Sequence, residues 1–217
     1  MNDFTNARLT MIENQLRTYD VLDYATLEAM GAMPRELFVP QHMSAFAYLD
    51  RPVSIGVNRE LMTPMVFGRL LQAMGVQKTD HVLDVAGGTG YSAAIFAAMA
   101  GHVTALEDDA DLSAKAKETF KNLKLENCVT EIGSIKEGAK SGAPFNVIFI
   151  NGAVEAEPAA LLNQLAEGGC VGCILGAGRS GRAVVYRRTL DNFTPTRIFD
   201  GSAISLKSFA KPLEFAF

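Results

Sequence analysis

Apolar positions recur at helical spacing through the first third of the chain. Leu9, Ile12 and Leu16 lie three and four apart, and Leu22, Ala25, Leu27 and Met30 continue the pattern behind Asp23, a residue suited to an N-cap. Gly31 and Pro34 punctuate that stretch. A sharper signal starts at Thr63, an N-cap type followed by Pro64 at the first helical position. Val66, Leu70, Leu71 and Met74 then share one face, and Gly75 marks the stop. Beyond residue 80 the pattern changes to short, mostly continuous apolar runs at 81–85, 103–106, 129–132, 146–150 and 170–175, which suit strands covered on both faces. Helical stretches at 91–100, 112–123 and 158–166 lie between them and supply the crossovers that parallel strands need. Right-handed crossovers turn this order into a doubly wound α/β sheet. Past Arg182 the runs 183–186 and 196–199 flank the turn-like Asp191-Asn192, predicting a terminal antiparallel pair. The chain thus reads as a single domain, with a helical extension over 1–62 and an α/β core over 63–217.

Composition narrows the class of protein. With 217 residues, 48% hydrophobic and 20% charged, the chain is an ordinary globular one, long enough to hold a core without disulfide or metal. Twenty basic against 24 acidic residues leave a net charge of −4, which argues against nucleic acid as a partner. The first residues carry no export or transit pattern, and no apolar run is long enough to span a bilayer. A cytoplasmic location is expected, without membrane attachment. Cys170 and Cys173 have the C-x-x-C spacing, but they sit within an apolar strand candidate. There, residues three apart face opposite sides, roughly 10 Å from each other. No second Cys/His pair completes a metal site, so these cysteines and Cys128 read as structural.

Chemistry concentrates in Val82-Leu83-Asp84-Val85-Ala86-Gly87-Gly88-Thr89-Gly90-Tyr91, an apolar strand that passes through a glycine-rich turn into an alanine-rich helix. Glycines let a ligand approach the backbone, and the helix N-terminus beyond offers unpaired N–H groups. Glu107, followed by Asp108 and Asp109, ends the next strand candidate, where a doubly wound fold binds ribose hydroxyls. Three readings stay open on the residues alone. Gly88-Thr89-Gly90-Tyr91-Ser92-Ala93 satisfies the dinucleotide pattern G-x-G-x-x-A, and the turn can also exist without a ligand. Asp84 favours a ligand with a cationic group, and too little chain remains for a separate substrate domain. Both features favour S-adenosylmethionine, which carries a sulfonium and an ammonium but no phosphate.

Three further segments precede the turn: Met11-Ile12-Glu13-Asn14-Gln15-Leu16-Arg17, Pro34-Arg35-Glu36-Leu37-Phe38-Val39-Pro40, and Tyr48-Leu49-Asp50-Arg51-Pro52-Val53-Ser54-Ile55-Gly56. With them the chain resembles the protein-L-isoaspartate O-methyltransferase family, within the Rossmann-like methyltransferases that use S-adenosyl-L-methionine. The resemblance implies a carboxylate acceptor on a peptide or small acidic substrate. It assigns Asp84, Gly88 and Gly90 to the methionine end of the cofactor, Glu107 to the ribose, and the turn from Gly133 through Ser134 to Ile135 to the adenine, with Ala86, Tyr91 and Asp108 as further expected cofactor-binding residues. Departures are visible. Ala86 stands for the first glycine of the turn, Ser134 for an aspartate and Asn146 for the aspartate that opens the fourth core strand. In Gly56-Val57-Asn58-Arg59-Glu60-Leu61-Met62-Thr63-Pro64 the family has glutamine–threonine–isoleucine–serine–glutamine–proline, ending at Pro64. Met62 therefore replaces the hydroxyl that orients the acceptor carboxylate. These departures keep two alternatives in view: a cofactor-binding relative without isoaspartyl turnover, and an NAD-type oxidoreductase.

Methyl transfer to a carboxylate needs no general base, because the acceptor is already ionised at neutral pH. Positioning and water exclusion must supply the rate. The expected catalytic residues are Arg59, Met62 and Thr63: a guanidinium could grip the acceptor carboxylate through two parallel hydrogen bonds. The competing roles are a salt bridge to Glu60 or a solvated loop for Arg59, and an N-cap for Thr63. His42 is a weak candidate. Arg179, Arg182, Arg187 and Arg188 could attract an acidic substrate or protect a sheet edge.

Overall fold

The computed structural model describes residues 3–176 and 178–211, with the side chain of Arg179 outside that description. Strands β3 (His81–Val85), β4 (His102–Glu107), β5 (Cys128–Ile132), β6 (Phe145–Val154) and β7 (Leu165–Leu175) run parallel. β8 (Arg182–Thr189) and β9 (Asn192–Asp200) extend the sheet as an antiparallel pair, and the order across it is β5-β4-β3-β6-β7-β8-β9. The chain winds outward from β3 in both directions, so a crevice opens at the carboxyl ends of β3 and β6, the usual ligand position in such sheets. Ahead of the sheet, β1 (Val53–Gly56) and β2 (Arg59–Leu61) form a separate antiparallel ribbon. Asn58 at its tip has φ 56°, the left-handed conformation that tight hairpin turns demand and that asparagine tolerates.

The helical extension begins with α1 (Phe4–Met11), which continues through a π turn at Ile12–Leu16 and a 3-10 turn at Arg17–Tyr19. Its inward residues are Met11, Ile12 and Leu16, whereas Leu9 is exposed. The wider π turn brings Met11 and Leu16, five apart, onto one side, so the simple period of 3.6 misassigned Leu9. In α2 (Tyr24–Ala32), Asp23 caps as expected, accepting from the Thr26 N–H at 2.8 Å. The buried face is Thr26, Leu27, Ala29 and Met30, with Leu22 and Ala25 turned outward. α3 (Pro64–Met74) matches its prediction: Thr63 Oγ1 accepts from the Val66 N–H at 3.3 Å, and Gly75 ends the helix at φ 67°.

One face of the sheet carries the extension, α3, α4 (Tyr91–Met99) and α5 (Ala110–Asn122), with Phe67 of α3 ringed by Tyr91, Phe96 and Phe149. The other face is closed mainly by loops through Ile135, Leu206 and Phe209, and by the one-turn α6 (Ala159–Leu162). The helix predicted over 158–166 is therefore only that turn. Leu161, Leu162 and Leu165 are all buried, which mimics a helical face, but the Phe145 N–H donates to Gln164 O at 2.9 Å and β7 begins at once. Cys170 packs into the first core layer and Cys173 into the second, the opposite-face arrangement expected of residues three apart in a strand. Burial pushes their thiols up to about 11 and about 12.

Candidate active site at the carboxyl ends of β3 and β4

From Val85 the chain turns through Ala86, Gly87, Gly88, Thr89 and Gly90 into α4. Ala86 adopts φ 58° and Gly88 φ 60°. The alanine is strained there by about 1 kcal/mol where a glycine would not be. A Cβ on Gly88 would lie 2.3 Å from Ile55 Cδ1, so the β1–β2 ribbon rests directly on the turn.

Asp84, on β3, is fully buried beneath the turn. Ser92 Oγ donates to its Oδ2 and Asn151 Nδ2 to its Oδ1, each at 2.7 Å. Burial pushes its carboxyl up to about 7, against the opposing pull of those two donors. Asp84 thus ties the start of α4 to the end of β6, with both oxygens engaged.

Glu107 ends β4 and is 3% exposed. It accepts from the Gly88 and Asp108 N–H groups at 2.9 Å each, which binds the glycine turn to the neighbouring strand. Arg59 of β2 meets it side-on: Nε lies 3.1 Å from both carboxylate oxygens and Nη2 2.7 Å from Oε1. Nη2 also reaches Asp108 Oδ1, and Nη1 donates to Asn58 O at 3.0 Å. Burial alone would raise the Glu107 carboxyl, but the hydrogen bonds and charge of Arg59 outweigh it and hold the group below the usual carboxylate range. Asp108 moves the other way, raised by burial and by its hydrogen bond to Glu107. Neither local alternative for Arg59 is realised: its partner is Glu107, 48 residues away, and it is buried rather than solvated. Its fork, expected to face an acceptor carboxylate, is spent inside the protein.

The remaining expected residues separate into groups. Met62 is buried in the first core layer, and its carbonyl accepts from Arg35 Nη2 at 2.7 Å. Thr63 is committed to capping α3. Tyr91, expected at the cofactor, is 2% exposed and packs edge-on against Phe38 with ring centroids 5.5 Å apart, a core position. Gly133 does lie at the site, its N–H donating to Glu107 O at 3.0 Å. Next to it Ser134 is exposed and Ile135 packs into the second core layer. His42 is exposed, and His81 and His102 meet at a tilt, ring centroids 5.1 Å apart, at the amino ends of their strands. Arg187 and Arg188, on β8, donate to Ala73 O of α3 and Leu165 O of β7, and β8 is flanked by a strand on each side rather than forming an edge.

Sequence reasoning gave no role to Arg35. It is 1% exposed, donates to Ala47 O and Met62 O at 2.7 Å each, and stacks 4.6 Å over the Tyr91 ring. It thereby pins the segment ahead of α3 to the extension. No local pattern distinguishes it from a surface arginine, because its acceptors are backbone carbonyls 12 and 27 residues away.

The acceptor set suits a nucleoside. A buried carboxylate and a second one beside it can accept two ribose hydroxyls, next to a glycine turn at a helix start. Little room is free on the α5 side of the turn, where about 10 Å³, space for one water, lies between Gly87, Gly88, Glu107, Ser113, Ala116 and Thr130; separately, Arg59 occupies the carboxylates and Ile55 stands against Gly88. A recess of about 260 Å³ lies beside Ile55, among Phe38, Val39, Thr89, Lys115 and Thr119.

The sequence matches the family profile described as Protein-L-isoaspartate(D-aspartate) O-methyltransferase over residues 6–197. A protein-L-isoaspartate O-methyltransferase of Koribacter versatilis is 34% identical over 200 residues, covering 92% of this chain and 90% of that protein. One of Roseiflexus castenholzii is 31% identical over 198 residues, covering 91% and 90%. Among solved structures, a protein-L-isoaspartate O-methyltransferase superposes with a TM-score of 0.78 at 22% identity, over 92% of this chain and 65% of that one. A Plasmodium falciparum structure described as a protein-L-isoaspartate O-methyltransferase, in complex with S-adenosyl-L-homocysteine, gives 0.77 at 22% identity, over 96% and 100%. The sheet order, the glycine turn and these matches agree, and the chain belongs to the protein-L-isoaspartate O-methyltransferase family.

Proposed function

We propose that this protein is an S-adenosylmethionine-dependent carboxyl methyltransferase acting on isoaspartyl residues of peptides or proteins, a protein-repair activity. The observation that carries this reading is the buried Glu107 carboxylate bonded to the Gly88 N–H, at the carboxyl ends of β3 and β4 in a chain of this family. Glu107 and Asp108 would hold the ribose, Gly88 and Gly90 would let the methionine end pass close to the backbone, and Gly133 to Ile135 would border the adenine. When bound, the cofactor supplies a methyl group on a positively charged sulfur. No residue has to remove a proton from the acceptor, since a carboxylate is ionised at neutral pH. The protein's part is to orient that oxygen and to exclude water. Orientation is the weak point of this chain, because residue 62 is methionine and the Thr63 hydroxyl is engaged in the α3 cap. The dinucleotide alternative loses its basis with the family assignment. All three cysteines are free thiols, which supports a reducing, cytoplasmic setting.

The test is methyl-ester formation on a synthetic isoaspartyl peptide, with the matching aspartyl peptide as control. Labelled methyl should appear on the isoaspartyl peptide only, at a low rate that Met62→Ser raises about tenfold or more, since one oriented donor is typically worth on the order of 10²-fold. No transfer to isoaspartyl peptide by either protein would overturn the reading.

A further inference from the structure

Residue 59, where the family has glutamine, is an arginine whose guanidinium grips the carboxylates that a ribose would need. The contact is a built one. Arg59 and Glu107 are both buried, three of the guanidinium's contacts fall on Glu107, and the same Nη2 bridges to Asp108. Ile55, on the partner strand of the ribbon, covers Gly88, and Gly56 meets Leu112 of α5, so the tip half of the ribbon lies against the turn and α5. The tip residue Asn58 accepts a further guanidinium hydrogen bond, from Nη1, on its carbonyl and so holds Arg59 from behind.

We infer that Arg59 is an internal occupant of the ribose subsite, and that the β1–β2 ribbon is a latch which must lift before S-adenosylmethionine or its demethylated product can enter. The inference rests on the cofactor reading above and adds its control. Nucleoside hydroxyls and the guanidinium compete for the same acceptor oxygens, so a molecule with Arg59 seated binds no cofactor. The apparent affinity is then reduced by the fraction of molecules whose latch is open. Glutamine at this position has no positive charge and only one amide donor group, and holds the carboxylates less firmly. Arg59 acts here as a positioning residue that sets access.

Calorimetry with S-adenosylhomocysteine and hydrogen exchange test the latch together. Arg59→Gln should bind the product at least about tenfold more tightly than the natural protein, equivalent to about 1.4 kcal/mol. In the natural protein, saturating S-adenosylhomocysteine should speed amide exchange across 54–61 while slowing it across 87–90. Equal or weaker binding by Arg59→Gln overturns the latch and leaves the cofactor reading intact. Protection of both segments on binding also overturns it, because the ligand would then enter with the ribbon closed, and this readout does not depend on the variant folding. Failure of both proteins to bind overturns the cofactor reading, and the latch with it.

Discussion

Asp84 shows how far one residue can be shifted by its surroundings. Its carboxyl lies beneath the glycine turn without contact to water, and burial raises it to about 7 although Ser92 and Asn151 both donate to it. The folded protein therefore holds a proton there that the unfolded chain, titrating near the ordinary carboxylate value of about 4, has lost. Between those two values the folded state binds more protons, so stability falls as pH rises from about 4 through about 7. At about 1.4 kcal/mol per pH unit the loss amounts to a few kcal/mol. Unfolding free energy measured by urea at pH 5 and pH 8 should show this decline, and Asp84→Asn should flatten it; a variant with the same pH slope would assign the slope to other groups. Residue type and position made Asp84 visible as a candidate, but an apolar strand with one acidic residue looks the same whether the carboxyl faces a ligand or α4. The side of the strand it takes is decided by Ser92 and Asn151, the latter 67 residues away.

At the scale of elements, the strongest local signals matched the structure most closely. Thr63-Pro64 opening α3 and Gly75 closing it are self-contained: the cap, the fixed proline φ and the left-handed glycine need nothing from the rest of the chain. Loss of the cap is directly measurable. Thr63→Ala should lower stability by about 1 kcal/mol, shifting the urea midpoint without changing its slope, while Thr63→Ser should stay near the natural value. Unchanged stability in Thr63→Ala would mean that water satisfies the Val66 N–H equally well. Elements failed where apolar spacing had two solutions. Leu161, Leu162 and Leu165 fit a helix face, yet pairing of Phe145 with Leu165 across the sheet outweighed the local preference. In the extension, the π turn at Ile12–Leu16 shifted the buried face by a residue and left Leu9 outside.

For the whole molecule, Arg35 joins parts that are distant in the chain. Its guanidinium fastens Ala47 of the extension and Met62 ahead of α3, above the ring of Tyr91 at the start of α4. Burial lowers its pKa. Arg35→Leu would leave two interior carbonyls without donors, at a cost of roughly 2–4 kcal/mol. For a chain of this size that lowers Tm by roughly 5–15 °C in calorimetry. A variant melting within a degree or two of the natural protein would show that water or a rearranged extension takes over both carbonyls.

The sequence by itself determined the strand sites of the seven-stranded sheet, the caps of α2 and α3, the terminal antiparallel pair, the glycine turn and the acidic end of β4. Each of these follows from side-chain periodicity or backbone preference over a few neighbouring residues, and such terms act wherever the chain lies. Only the tertiary structure decided what Arg59 does. Locally it had Glu60 beside it and solvent around it, and either partner was chemically sound. Folding instead laid the β1–β2 ribbon over the glycine turn, bringing the guanidinium to a carboxylate 48 residues away in a buried setting. There the attraction outweighs an exposed pairing because little water remains to screen it. An ion pair depends on distance in space, which the order of residues does not contain until the sheet and its ribbon have formed.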